Sequence, residues 1–182
     1  LDRHVNGRSA LVFAAYHGCL ELLVFLDSVL RNDGHITLPN LSLDVQQDYH
    51  LCLVLAAKCG YFSILTFLVE NVQVSVNSSD NAHNTPLISA CVAGHENIVS
   101  YLLQREADVR KVNSDGDTAL MLAVRRGYLS IVRTLLSKLE KSCSNKSEIA
   151  DTINLKNRKG LSAMAMAETD VMRTFLAQYG AI

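Results

Sequence analysis

Internal repetition constrains this chain more than any other feature. Residues 84–103 read NTPLISACVAGHENIVSYLL, and residues 117–136 read DTALMLAVRRGYLSIVRTLL. Setting Leu87 on Leu120 gives an offset of 33. At that offset Thr85 meets Thr118, Ala90 meets Ala123 and Gly94 meets Gly127, while Ile98-Val99 meet Ile131-Val132 and Leu102-Leu103 meet Leu135-Leu136. A fixed period of roughly 20–50 residues marks a solenoid, in which each unit buries its apolar face only against its neighbours. Looser copies flank the pair: SALVFAAYHGCLELLVFL over 9–26 and LCLVLAAKCGYFSILTFL over 51–68. A shortened copy starts at Asn157 and runs through Ser162-Ala-Met164 to Phe175-Leu176.

Each recurring position has a physical reading. Thr85 suits an N-cap, its hydroxyl accepting from a first-turn amide, and Pro86 falls where a missing N–H costs nothing. Ala90 and its counterparts are small enough to let neighbouring units approach. Gly18, Gly60, Gly94 and Gly127 can adopt the left-handed conformation that ends a helix. Ile98, Val99, Leu102 and Leu103 then form one buried face of a second helix. Gly7, Gly116 and Gly160 sit two residues before the Ser/Thr cap, where a tight turn needs positive φ.

This pattern resembles the ankyrin repeat over nearly the whole chain, with NTPLISA and DTALMLA standing for the T-P-L-H-x-A signature. The resemblance implies an all-α solenoid of about five helix-turn-helix repeats joined by short β-hairpin-like turns. It places repeats at about 4–36, 46–79, 80–112, 113–156 and 157–182, in a single domain over 1–182. Val12, Val54, Ile88 and Met121 occupy the place of the signature histidine, so its turn hydrogen bond must be replaced or lost. The spacing is also uneven. Extra residues fall between about 30 and 48 and between 137 and 151, and read as extended loops or as a prolonged second helix.

The two ends differ in character. Glu168, Asp170 and Arg173 suit a polar closing cap, whereas Leu20 and Leu22 to Leu26 make the second helix of the first repeat apolar all round. Terminal repeats need polar outer faces, so the chain reads as a fragment of a longer protein with something packed before residue 1.

Charge separates along the chain although the formal net charge is only −1. Residues 1–104 carry 4 Lys/Arg against 9 Asp/Glu, and residues 105–141 carry 8 against 5. The basic concentration of Arg105, Arg110, Lys111, Arg125, Arg126 and Arg133 is interleaved with acids and lacks aromatics spaced for base stacking, so nucleic acid is not expected. Residues 52–69 are apolar enough to suggest a membrane span. Lys58, Gly60 and the repetition of the pattern argue instead for a buried hairpin.

Catalytic, cofactor and metal sites are not expected. His50, Cys52 and Cys59 fall short of the four closely paired ligands of structural zinc. His17 and Cys19 straddle a helix-ending glycine, and neither a phosphate loop nor an HExxH motif occurs. Five cysteines without CxxC spacing read as reduced thiols in the cytoplasm, with the nucleus also compatible.

The resemblance therefore implies a protein-interaction module that is not an enzyme. Its partner would be a protein or peptide, acidic in the preferred reading, held in a concave groove lined by the hairpin tips and the first helices. Tips by register are Val5, Asn6 and Arg8; Gln47, Asp48 and His50; Asn81, Ala82 and Asn84; Ser114, Asp115 and Asp117. The exposed first-helix ends are Tyr16-His17, Lys58-Cys59, Val92-Ala93 and Arg125-Arg126. Tyr16, Arg125 and Arg126 are the favoured anchors, because Tyr and Arg are enriched among residues that dominate binding. The alternatives are an ankyrin segment that positions substrate or domain in a larger enzyme or channel, and a pathogen effector that binds host protein.

Overall fold

The computed structural model describes residues 4–5, 8–31, 37–142 and 146–181, with only the backbone of residues 4, 5, 8 and 146. Asn6, Gly7, Cys143, the Arg8 side chain and part of the first insert (32–36) lie outside the described residues.

Two short strands open the chain, β1 (His4–Val5) and β2 (Arg8–Ser9), paired antiparallel with Val5 opposite Arg8. The helices that follow pair as antiparallel hairpins. They are α1 (Ala10–Tyr16) with α2 (Leu20–Leu30), α3 (Leu43–Cys59) with α4 (Phe62–Glu70), and α5 (Pro86–Ala93) with α6 (Glu96–Gln104). Next come α7 (Ala119–Arg125) with α8 (Leu129–Ser142), an added α9 (Lys146–Ile153), and α10 (Ala163–Met166) with α11 (Asp170–Ala177).

First helices pack in sequence, α1 on α3, α3 on α5, α5 on α7 and α7 on α10. Ala14, Ala15, Ala56, Ala57, Ala90 and Ala123 are fully buried in that layer, which is why its helices can approach closely. Second helices touch less, α2 on α4 and α6 on α8. The tighter layer forms the inside of the curve, so the first helices and the hairpins line the concave face.

The capping logic holds in four repeats. The hydroxyls of Ser9, Thr85, Thr118 and Ser162 accept from the amides of Val12, Ile88, Met121 and Ala165. Gly60 and Gly94 end α3 and α5 at φ of 82° and 83°. They also leave room for rings of the next repeat: a Cβ on Gly94 would stand 2.8 Å from the Tyr128 ring, and one on Gly60 2.6 Å from the His95 ring.

Repeat two breaks the pattern, and here the register-based expectation is corrected. Gln47, Asp48 and His50 are not a hairpin tip; they lie inside α3, which begins at Leu43 and carries Cys52 in its middle. Val45, Tyr49, Cys52 and Ala56 recur at helical spacing and are all buried. Tyr49, fully buried, donates its hydroxyl to Asp27 Oδ1 at 2.8 Å, and Asp27 also pairs with Arg31 at 3.5 Å. Burial, reinforced by the Asp27 carboxylate, pushes the Tyr49 phenol far above its ordinary pKa. The first insert thus prolongs the first helix of repeat two. The second insert prolongs the second helix of repeat four, α8, and adds α9, which an Arg110–Glu148 ion pair of 2.7 Å ties back to the end of repeat three.

The outer face of α2 is apolar and open. Leu22 is 40% exposed, while its register equivalents Ile64, Ile98 and Ile131 are buried.

Candidate functional site

The concave face is built first from its turns. Asp80, Asn113 and Asn157 occupy one register position, and each side-chain Oδ1 accepts two backbone amides of its own turn. Asp80 takes those of Ala82 and Asn84, Asn113 those of Asp115 and Asp117, and Asn157 those of Lys159 and Leu161. Each turn is thus closed by its own first side chain.

The turns are also tied to one another. Ser114 N–H donates to the Ala82 carbonyl at 2.9 Å and Arg158 N–H to the Asp115 carbonyl at 3.0 Å. Asn113 Nδ2 donates to Asn84 Oδ1 at 3.3 Å, and Asn157 Nδ2 to Asp117 Oδ1 at 2.7 Å. Repeats three to five therefore share a ladder of hairpins. A shared residue type at 80, 113 and 157 was the sequence signal for it.

The residues expected at the site fall into three groups. Asn84, Ser114 and Asp117 belong to the ladder. Asp117 is 3% exposed, so its carboxylate serves the fold rather than standing open as a tip residue. Asn81 and Asp115 are exposed at the tips, Asp115 with its carbonyl committed to Arg158. Arg8 falls in β2, with its backbone paired to Val5.

Helix ends form the second group. Tyr16 and His17 are exposed and form an aromatic cluster with Phe13: His17 lies 4.3 Å from the Phe13 ring and 5.1 Å from the Tyr16 ring. Phe13 is itself 47% exposed and was absent from the register mapping. Its i, i+3 and i, i+4 spacing to Tyr16 and His17 was the available signal. Lys58 is exposed, and its carbonyl accepts from His95 Nε2 at 3.1 Å. Cys59, Val92 and Ala93 are half-buried.

Arg125 and Arg126 are exposed at the end of α7. Arg125 Nη1 stands 3.8 Å from Asp117 Oδ2, whereas Arg126 has no carboxylate partner among the described residues. Tyr16 and Arg125 are three repeats apart, roughly 30 Å at the usual spacing of packed helices, so one small ligand does not bridge them.

His50 stands apart from both groups, half-buried in α3, and burial holds its imidazole below the ordinary histidine pKa. It lines a groove of about 530 Å³ between α3 and residues 79–82.

The remaining chemistry is structural. Cys52 and Cys91 are buried, and that burial pushes their thiols far above the usual range, which disfavours the reactive thiolate. Cys19, by contrast, is exposed. Among the described residues no cluster of three His, Cys, Asp or Glu is placed to hold a metal ion. No described helix is long and apolar enough to cross a membrane.

The sequence was compared with known proteins. The family described as Ankyrin repeats (3 copies) matches residues 53–147. The chain is 32% identical over 119 residues to the Ankyrin repeat and KH domain-containing protein mask-1 of Caenorhabditis elegans, covering 58% of this chain and 4% of that protein. It is 41% identical over 85 residues to the E3 ubiquitin-protein ligase XBAT33 of Arabidopsis thaliana, covering 46% and 17%. To the Target of rapamycin complex 2 subunit AVO2 of Saccharomyces cerevisiae it is 24% identical over 164 residues, covering 90% and 35%. The chain spans about a third or less of the length of these three relatives.

Proposed function

The chain belongs to the ankyrin repeat family, and from that premise we propose that it binds a partner protein or peptide through its concave groove and hairpin tips. Ankyrin repeats are in general interaction modules with no catalytic machinery of their own. What carries the reading for this chain is the contrast between engaged and open polar groups on one face. The hairpin ladder occupies Asn84, Asn113, Asp117 and Asn157, while Arg126 stands exposed beside Arg125 without a carboxylate partner among the described residues. Two adjacent guanidiniums favour an acidic segment, because each can pair bidentately with a carboxylate.

Ion pairing also argues against nucleic acid. Arg105 pairs with Glu70 at 2.6 Å, Arg110 with Glu148 at 2.7 Å, and Arg133 lies over the Phe175 ring at 5.2 Å. The basic residues are thus divided among local partners rather than gathered into a phosphate track. Buried reduced cysteines fit an intracellular protein.

Affinity crosslinking with mass spectrometry, comparing wild type with Arg125→Glu/Arg126→Glu, tests the proposal. The double variant should keep its helical content and lose the crosslinked acidic partner. Undiminished crosslinking to a correctly folded variant would refute the assignment.

A second reading places this segment in a larger enzyme, where it would position a substrate or domain. Its support is the similarity to a protein named as an E3 ubiquitin ligase.

A further inference from the structure

The hairpin ladder has a missing rung. In each rung, the residue after the Asp/Asn of one turn donates its N–H to a carbonyl of the preceding turn: Ser114 to Ala82 and Arg158 to Asp115. The equivalent donor of the third hairpin is Asn81, which is exposed and has no acceptor among the described residues. Repeat two cannot supply one, since α3 fills the place of its turn. Carbonyls inside a helix are already taken by amides four residues on.

What lies opposite Asn81 is the groove of about 530 Å³, with Gln47, Asp48, His50 and Leu51 on the α3 side. Its charged lining is acidic, Asp48 and Asp80, with no Lys or Arg. The Asp80 carboxylate is turned to its own hairpin, which leaves Asp48 to face an incoming group.

We infer that this groove takes an extended peptide segment of a partner protein that carries a Lys or Arg. Its main-chain carbonyl accepts from Asn81 N–H, as the Ala82 and Asp115 carbonyls do in the rungs already made, and its cation pairs with Asp48. The inference rests on the reading of the chain as a protein-binding module, and adds a site between repeats two and three, separate from Arg126 in repeat four.

Asn81→Pro separates the donor from the fold. Asn81 is the second residue of a turn closed by the His83 N–H to Asp80 carbonyl bond of 2.9 Å, a position where proline is favoured. The substitution therefore removes the N–H and keeps the turn. The probe is a random 12-residue peptide library displayed on phage and selected on the folded chain, with affinities of recovered peptides measured on Asn81→Pro, Asp48→Lys and Arg126→Glu.

The expected result is a class of Lys- or Arg-bearing peptides that lose about tenfold in affinity with Asn81→Pro, the loss of one hydrogen bond. They should also weaken with Asp48→Lys and be indifferent to Arg126→Glu. Peptides that weaken only with Arg126→Glu would overturn the inference and leave the acidic-partner reading standing. A library that yields no binder would overturn it as well.

Discussion

Repeats two and three carry the same helical pattern from Leu53 and Leu87 onward, yet they enter it in opposite ways. Repeat three enters through a hairpin, and repeat two through two further turns of helix. Three register positions separate them. Where repeats three, four and five have Asp80, Asn113 and Asn157 to close a turn, repeat two has Gln46, whose amide instead donates to the Leu41 carbonyl at 2.8 Å. Positive φ at His83, Gly116 and Gly160 contrasts with Tyr49, which is helical and buried. The capping hydroxyls of Thr85, Thr118 and Ser162 contrast with Leu51. A few side chains that cannot make a turn, together with one aromatic anchor, convert a hairpin into helix. That conversion also opens the groove beside Asn81.

The comparison can be broken first at its anchor. Tyr49→Ala should cost about 3–5 kcal/mol, the usual range for removing a buried aromatic, and should expose the amides of residues 43–50 to hydrogen exchange before the rest of the stack. Next is the ladder: Asn157→Ala, which loses two turn bonds and the bond to Asp117, should lower stability by about 2 kcal/mol in urea unfolding. Tyr49→Phe keeps the packing and removes only the bond to Asp27, so a loss of about 1 kcal/mol is expected.

The comparison is sharpened by making repeat three more like its neighbours. His83 sits at φ 57°, where repeats four and five have glycine. His83→Gly should be neutral or gain about 0.5 kcal/mol, the small margin between left-handed strain and glycine entropy.

The smallest effect is a pH dependence at His50. Its folded pKa is depressed by burial, so the unfolded chain takes up the proton first as pH falls. Stability should therefore decline as pH drops through about 6.5 and level off once the folded ring is protonated. In urea unfolding between pH 7.5 and 5, His50→Gln should flatten that part of the profile.

Much of this was legible in the sequence because it is local. Thr85, Pro86, Gly94 and the Ile98, Val99, Leu102, Leu103 face state their roles within one repeat, and the structure places each accordingly. Register carried across from the neighbours places a hairpin in repeat two where the chain is helical. The Val45, Tyr49, Cys52, Ala56 stripe marks a continuing helix, and no turn-forming residue interrupts it. A charged residue in a turn suggests exposure, yet Asp117 is buried. Its burial depends on Asn157, 40 residues away, and such a pairing appears only when the repeats are stacked. For the same reason the open donor of Asn81 could not be seen before the shape of its neighbour was known.

The most direct test of the central claim is hydrogen exchange on the chain in complex with its crosslinked partner. Protection should concentrate on the concave face, in the tips at 79–84 and 113–117 and the α7 end at Arg125-Arg126, with α6 and α8 unchanged on their outer surfaces. Protection confined to α6 and α8, with the tips and the α7 end exchanging as in the free chain, would contradict the account.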